Sequence, residues 1–159
     1  MTSERSARAR AFVAASTPEA RGLGQALAEL IDEPEVFSDV LREGFERLAD
    51  PAYAAAQAII APGSGSVIGV RWPLVSAVAG QLRRPLAESS SSSALWLAQH
   101  LAQAEQHEMR LFSHVPLRRA LEDDPERSWQ LLRRLARSAG DWVAVDSLAN
   151  LYAQGILAE

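Results

Sequence analysis

The fold is decided by residues 33–60, which read EPEVFSDVLREGFERLADPAYAAAQAII. An acid followed by proline occurs twice in this stretch, at Glu33-Pro34 and at Asp50-Pro51. Proline is favoured in the first turn of a helix, because its missing N–H is not needed there. Apolar residues recur at helical spacing after each proline. The stretch therefore predicts two successive helices, with apolar positions at Val36, Phe37, Val40, Leu41, Phe45 and Leu48 in the first and from Tyr53 to Ile60 in the second.

Two more prolines mark helix starts in the first half of the chain. Thr17-Pro18 predicts a helix that follows a separate, frayed and arginine-rich helix over residues 3–15. Pro73 predicts a further helix, which runs to a flexible serine tract at residues 89–93 whose last serine caps the next helix. Val67 to Val70 is a short apolar run that would suit a strand. Because no second strand is evident, we interpret this run as a loop.

The segment from Ala94 to Ser113 is helical in tendency. In one continuous helix Glu108 would fall in the middle of the apolar face, and a buried unpaired carboxylate is costly. We therefore predict a break near residues 105–107 and two shorter helices that pack as a hairpin. After Pro116, Leu117 to Leu121 predicts a short turn.

A helix predicted from Pro125 to Ala139 carries arginines on one face and Trp129 with three leucines on the other. Like charges on one face repel each other, and an anion such as a phosphate backbone would stabilise them. The alternative is a solvated face that the acids at residues 122–124 neutralise. The four candidates for nucleic-acid binding are Arg127, Arg133, Arg134 and Arg137.

A tryptophan and an acid lie four residues apart just after this helix, in GDWVAVDSLAN at residues 140–150. Gly140 can close the preceding helix and Asp141 can cap the next, so that a helix begins at Trp142. At about 100° per residue, Asp146 returns to within roughly 40° of Trp142, and an indole face and a carboxylate project side by side. Such a pair suits a cation.

An alternative interpretation makes Trp142 a core anchor and Asp146 the first residue of the solvated face. Amphipathic helices are common, and spacing alone does not decide between the two interpretations. The apolar arc of this alternative comprises Trp142, Val145, Leu148, Ala149 and Tyr152.

Composition excludes several classes of protein. The 159 residues suit a single domain, and no apolar run is long enough for a signal peptide or a membrane span. Cysteine is absent, which removes thiolate chemistry and fits a reducing compartment, so we expect a cytoplasmic protein. The net charge of -4 argues against a protein coated with positive charge, although it allows a local basic face.

The sequence predicts neither a metal site nor a cofactor. His100, His107 and His114 recur every seven residues, but the predicted break separates them and no carboxylate is placed to assist. Residues 63–69 approach a phosphate-loop pattern without its Lys-Ser/Thr ending or a preceding strand.

The elements together predict an all-α protein. Short helices joined by short loops favour an α-α superhelix of HEAT-like helical hairpins, an α-solenoid. We expect residues 1–159 to form one domain of this kind, with N-terminal helices over residues 17–61.

Two blocks of the sequence resemble the DNA alkylation repair family of HEAT-like-repeat DNA glycosylases. The first block is GVRWP at residues 69–73, followed by HEMRL at residues 107–111. The second is DWVAVDS at residues 141–147. The resemblance covers residues 51–157, with a family-like core over residues 73–157.

The resemblance implies an activity on double-stranded DNA. Members of the family excise purines that carry a positive charge after alkylation at N3 or N7, and they hold the duplex on a concave basic surface without inserting the base into a pocket. By this resemblance Asp146 is catalytic, since it would stabilise the cationic transition state or position water. Trp142 would contact the sugar or the cationic base, and the four arginines would hold phosphates.

The family pattern continues with further repeats, which supply a second aromatic wall and an arginine beside the aspartate, whereas this sequence ends at Glu159. We therefore expect about two repeats to be absent. The apolar face of residues 151–158 would then be uncovered, unless a homodimer forms through this C-terminal helix. Two functions stay open: excision of alkylated purines, or a catalytically inactive HEAT-like module that binds DNA or a protein partner.

Overall fold

A computed structural model describes residues 2–140 and 142–158, apart from the side chains of Thr2, Trp142, Val143 and Ala158. Within those residues the chain forms nine α-helices, a 3-10 turn over Pro62–Ser64 and an isolated β-bridge, with no strand. The prediction of an all-α fold is confirmed. The helices are α1 (Thr2–Ala28), α2 (Pro34–Arg47), α3 (Pro51–Ile60), α4 (Trp72–Glu88), α5 (Ser91–Leu101), α6 (His107–Phe112), α7 (His114–Asp123), α8 (Pro125–Ser138) and α9 (Trp142–Ala158).

The helices stack in a solenoid-like order. α1 packs along α4 and also contacts α2, and α2 contacts α5. α5 packs mainly on α7, which contacts α8 and α9 in turn. None of the described helices is both long and apolar enough to cross a membrane. One core runs through the stack, and its fully buried side chains include Leu27, Phe37, Phe45, Leu82, Leu97 and Phe112.

Three predicted helix starts are confirmed at Pro34, Pro51 and Pro125, each the first residue of its helix. The carboxylate of Asp50 accepts a hydrogen bond from the amide of Ala52 at 3.0 Å. Such a cap satisfies an amide that the first helical turn leaves without a partner. These starts are therefore encoded locally.

The prediction of a separate first helix is wrong. α1 is continuous from Thr2 to Ala28 and contains Pro18 in its interior. An interior proline costs a backbone hydrogen bond, but apolar residues on both sides of it pack against the core, from Phe12 to Leu23. The hydroxyl of Thr17 also donates to the carbonyl of Val13 at 2.7 Å. Tertiary packing therefore outweighs the local stop signal.

Two connections also differ from their prediction. α5 begins at Ser91 and is capped by Ser90, whose hydroxyl accepts from the amide of Ser93 at 3.0 Å. The serine tract is therefore largely helical, because its second serine already provides the cap. The segment Leu117 to Leu121 belongs to the ten-residue helix α7, where Pro116 lies in the first turn and is tolerated.

The predicted break before α6 is confirmed, since α5 ends at Leu101 and α6 begins at His107. The prediction that these two helices pack on each other as a hairpin is wrong. α6 is only six residues long, and the main packing partner of α5 is α7. The break does not expose Glu108, whose exposed fraction is 6%. Its burial therefore needs another explanation.

Backbone amides of a distant loop solvate the carboxylate of Glu108. Its Oε2 accepts from the amide of Ile68 at 2.9 Å, and its Oε1 accepts from Gly69 at 2.6 Å and from Val70 at 3.3 Å. Hydrogen bonds to an ionised group are roughly twice as strong as neutral ones. The carboxylate therefore fixes the loop of residues 65–71 onto the start of α6.

The same loop is also fixed to the residues that follow α2. The amide of Asp50 donates to the carbonyl of Gly69 at 2.9 Å, and Nη2 of Arg71 donates to Oδ2 of Asp50 at 2.7 Å. Gly69 has a φ of 99°, and a Cβ there would lie 2.6 Å from the Cβ of Ala54. Only glycine accommodates this approach. The sequence blocks 69–73 and 107–111 therefore form one interlocked unit.

We expect the substitution Glu108→Gln to lower the free energy of unfolding by about 2–3 kcal/mol, because a neutral amide makes weaker hydrogen bonds and places an N–H group against amide donors. Urea denaturation measures the change. The substitution Glu105→Gln is the control, since it removes an exposed carboxylate three residues earlier. An equal loss in both variants would contradict the role assigned to Glu108.

Candidate functional site

The predicted catalytic aspartate lies on the outer face of α9. Asp146 is exposed and lies on the side of the helix away from the buried Leu148 and Leu151. Its backbone carbonyl accepts from the side-chain amide of Asn150 at 3.2 Å. Within the described residues its carboxylate has no hydrogen-bond or ion-pair partner. The carboxylate is therefore accessible to a large ligand.

The core-facing arc of α9 is rotated from the one in the alternative interpretation. Val145 is 54% exposed and Ala149 is exposed, whereas Ser147 is half-buried. The inner face is formed by Leu148, Leu151 and Gly155. The neighbouring helices explain which side of α9 faces inward. Ser147 contacts a polar side chain there, and Gly155 lies so close to an aromatic ring that only glycine fits.

Trp129 of α8 is that aromatic neighbour. Its ring centroid lies 5.1 Å from that of Tyr152, and a Cβ on Gly155 would lie 2.7 Å from its Cζ2. The expectation that the apolar face of residues 151–158 is uncovered is therefore wrong for its inner side, where Leu151 is buried. The outer side keeps two exposed residues, Ile156 at 63% and Leu157 at 87%.

Two predictions fall outside the described residues. The cap by Asp141 and the side chain of Trp142 are both undescribed. The described part of the helix starts at Trp142. The pairing of the indole of Trp142 with the carboxylate of Asp146 stays a prediction from helical spacing.

A buried histidine holds the inner face of α9. Nδ1 of His114, the first residue of α7, lies 2.5 Å from Oγ of Ser147. Burial, reinforced by the positive charge of Arg118, lowers the pKa of His114 to about 4. The imidazole is therefore neutral near pH 7 and joins α7 to α9. Sequence reasoning missed this pair, because Ser147 has no partner within local reach.

A cleft of about 280 Å³ opens beside this pair, between α6, α7, α8 and the start of α9. It is lined in part by His107, His114, Gly140 and Ala144, and Asp146 lies outside it. Arg110 also lines the cleft, but its guanidinium donates to three backbone carbonyl oxygens, those of Ser64, Ala104 and Glu105. Arg110 therefore holds the loop in place.

The three histidines do not form a common site. His107 and His114 line the cleft, whereas His100 lies on α5 and is not among the lining residues. Across residues 2–140 and 142–158, no group of three or more side chains of the His, Asp or Glu type could hold a metal ion.

The four predicted phosphate-binding arginines lie on the outer face of α8, but they are not equivalent. Arg127 forms an ion pair with Asp124 and donates to the hydroxyl of Ser92 at 3.1 Å. Arg133, Arg134 and Arg137 are exposed and have no ion pair within the described part of the chain. The three unpaired arginines are the stronger candidates for binding an anion.

The nearby acids do not neutralise these three arginines. Asp123 and Glu122 both pair with Arg119, at 2.7 Å and 3.6 Å. The side-chain hydrogen bond from Arg119 lowers the pKa of Asp123, and that from Arg127 lowers the pKa of Asp124. The acids at residues 122–124 are therefore engaged at the start of α8, away from the end of that helix.

The connection between α8 and α9 approaches Gly63, which lies just before the loop of residues 65–71. Gly140 follows α8, and a Cβ on it would lie 3.4 Å from the carbonyl oxygen of Gly63. Arg133, Arg134 and Arg137 occupy the last turns of α8, and Asp146 follows in the second turn of α9. The last turns of α8 and the first two turns of α9 therefore carry three guanidinium groups that form no ion pair with a described residue, and one exposed carboxylate.

His114 should make stability dependent on pH. Its folded-state pKa of about 4 lies below the unperturbed value of 6.5, so the unfolded chain binds a proton that the folded protein does not. We expect the full stability above about pH 6.5 and a loss of about 3 kcal/mol as the pH falls to about 4. Chemical denaturation across this range measures the loss.

The variant His114→Gln is the control for this experiment, because its amide cannot take up a proton. Its stability should fall less steeply between about pH 6.5 and 4. The same pH dependence in both proteins would contradict the buried neutral state of His114.

Comparison with known proteins places these features in one family. The family model for the DNA alkylation repair enzyme matches residues 41–159, which include both sequence blocks and all of the candidate site residues. No curated protein and no solved structure matches the chain. A match over most of its length shows that the chain belongs to the DNA alkylation repair enzyme family.

Proposed function

We propose that this chain binds duplex DNA and excises cationic N3- or N7-alkylated purines from it. The observation that carries the proposal is the exposed carboxylate of Asp146, which lies one helix turn into α9, the helix that follows the arginine-bearing end of α8. Membership of the DNA alkylation repair enzyme family supports DNA as the substrate. The choice of cationic alkylated purines follows what the resemblance implies.

The chemistry needs few protein groups. Alkylation at N3 or N7 gives the purine a positive charge, so the base leaves with the electrons of its glycosidic bond as a neutral molecule. Positive charge then develops on the sugar, and a nearby carboxylate stabilises it. Water adds to the sugar carbon and gives up a proton, which leaves an abasic site. In the proposal Asp146 stabilises this charge and orients the water.

Trp142 keeps the role that the resemblance implies, contact with the sugar or the cationic base. The π face of an indole attracts a cation, most strongly when the pair is shielded from water. Because Asp146 lies outside the cleft, the proposal has the lesion recognised at the protein surface. This differs from enzymes that flip a base into a closed pocket.

We expect Asp146→Asn to slow the release of 7-methylguanine from methylated duplex DNA by about 100-fold, since loss of one electrostatic contact to a transition state has effects of this order. The fold should be retained, because the side chain is exposed. Chromatography of the released base gives the rate, and circular dichroism confirms the fold.

The control for Asp146 is Asp32→Asn, which removes an exposed carboxylate from the turn after α1. It should leave base release unchanged. If the wild type releases no alkylated base, or if Asp146→Asn releases as much as the wild type, the catalytic proposal fails.

We expect the triple substitution of Arg133, Arg134 and Arg137 to alanine to weaken duplex binding and to reduce the slope of log affinity against log salt by about 2.7, one phosphate per arginine. Arg127→Ala should reduce the slope by less than about 0.9, the value for one phosphate contact, because Asp124 already compensates the charge of Arg127. Fluorescence anisotropy with labelled duplex measures both. Equal slopes in the wild type and the triple variant would exclude this face of α8 as a DNA-binding surface.

The second candidate is a catalytically inactive module, and the exposed Ile156 and Leu157 favour it. Two adjacent exposed apolar residues suit a protein partner or a homodimer through α9. Sedimentation of the wild type and of a variant with both residues changed to serine tests the homodimer. A monomeric wild type would exclude it.

A further inference from the structure

The first turns of α1 extend beyond the helices on which α1 packs. Contact with the core begins at Phe12 and Val13, which are partly buried, while residues 3–8 are all exposed. At 1.5 Å per residue, the ten residues before Phe12 span about 15 Å. This segment therefore presents its side chains to solvent.

Three arginines on this segment have no acidic partner. Arg5, Arg8 and Arg10 are exposed and form no ion pair within the described residues, and Glu4 is the one acid among residues 2–11. Some arginines elsewhere are paired, as Arg42 is with Asp39 and Arg84 is with Glu88. We call residues 3–10 the arginine arm.

Contacts between α1 and α2 show the direction in which the arm projects. Arg47 donates to Glu19 at 3.2 Å, and a Cβ on Gly44 would lie 2.4 Å from Cδ2 of Leu23. Residue numbers rise along α1 as they fall along α2, so the two helices are antiparallel. The residues before Glu19 therefore extend past the end of α2.

The end of α2 and the start of α9 both approach the segment of residues 63–71. Asp50, three residues after α2, binds Gly69 and Arg71 of the loop of residues 65–71. The carbonyl of Gly63, just before that loop, would lie 3.4 Å from a Cβ on Gly140. The segment of residues 63–71 therefore links the end of α2, past which the arm extends, to the end of α8 and the start of α9.

We propose that the arginine arm binds the phosphate backbone of duplex DNA beside the segment that α8 holds. This inference rests on the proposed function, and the arm lies outside residues 41–159, the part of the chain that matches the family model. In a chain of net charge -4, affinity for a polyanion depends on local clusters of unpaired positive charge. The arm and the end of α8 are two such clusters among the described residues.

The test compares the wild type with two triple variants that lose the same charge. The first changes Arg5, Arg8 and Arg10 to alanine. The second is the control, which changes Arg42, Arg83 and Arg84, three exposed or half-exposed arginines of α2 and α4. Alanine favours helix, so both variants should fold. Affinity for a labelled, unmethylated duplex is measured from about 50 to about 200 mM salt.

We expect the first variant to bind more weakly and to lose about 2.7 from the slope of log affinity against log salt, while the control keeps the wild-type slope. If the first variant and the wild type have equal slopes but the α8 triple variant loses slope, the arm inference fails and the proposed function stands. If the first variant and the control lose the same amount from this slope, the effect is one of net charge and the arm inference fails. If the wild type does not bind duplex DNA, both proposals fail.

Discussion

The buried carboxylate of Glu108 is the interaction on which the rest of the structure depends. It accepts hydrogen bonds from three successive amides, those of Ile68, Gly69 and Val70, and so replaces the pairing that a strand would give them. The loop held in this way also binds Asp50. Gly63, just before the loop, lies near Gly140. One buried carboxylate therefore holds together the start of α6, the loop of residues 65–71 and, through that loop, the end of α2.

Local signals predicted most of the helices, and long-range packing accounts for the errors. Pro34, Pro51 and Pro125 begin helices because proline is favoured in a first helical turn. Pro18 carries the same signal, yet burial on both sides of it keeps α1 continuous. The cost of burying Glu108 was visible in the sequence, but its amide partners lie about forty residues away and no spacing rule reveals them.

In the candidate site, too, local features could be predicted from the sequence and contacts between helices could not. The outward position of Asp146 and the shared face of the four arginines follow from helical periodicity alone. The ion pair of Arg127 with Asp124 is local and could have been read from their spacing, whereas the contact of His114 with Ser147 joins two helices and could not. The link from the end of α2 to the start of α9 depends on tertiary contacts of the segment of residues 63–71, which no local pattern reveals. An acidic protein can still carry local clusters of positive charge.

The central claim is that duplex DNA binds at the end of the stack where α8 ends and α9 begins. Every basic side chain other than histidine is arginine, so arginine-specific modification with mass spectrometry, with and without methylated duplex, tests the claim at each position. The account predicts that DNA protects Arg133, Arg134 and Arg137 and leaves Arg83, an exposed arginine near the far end of α4, reactive. Protection of Arg83 to the same degree, or none at the three arginines of α8, would contradict it.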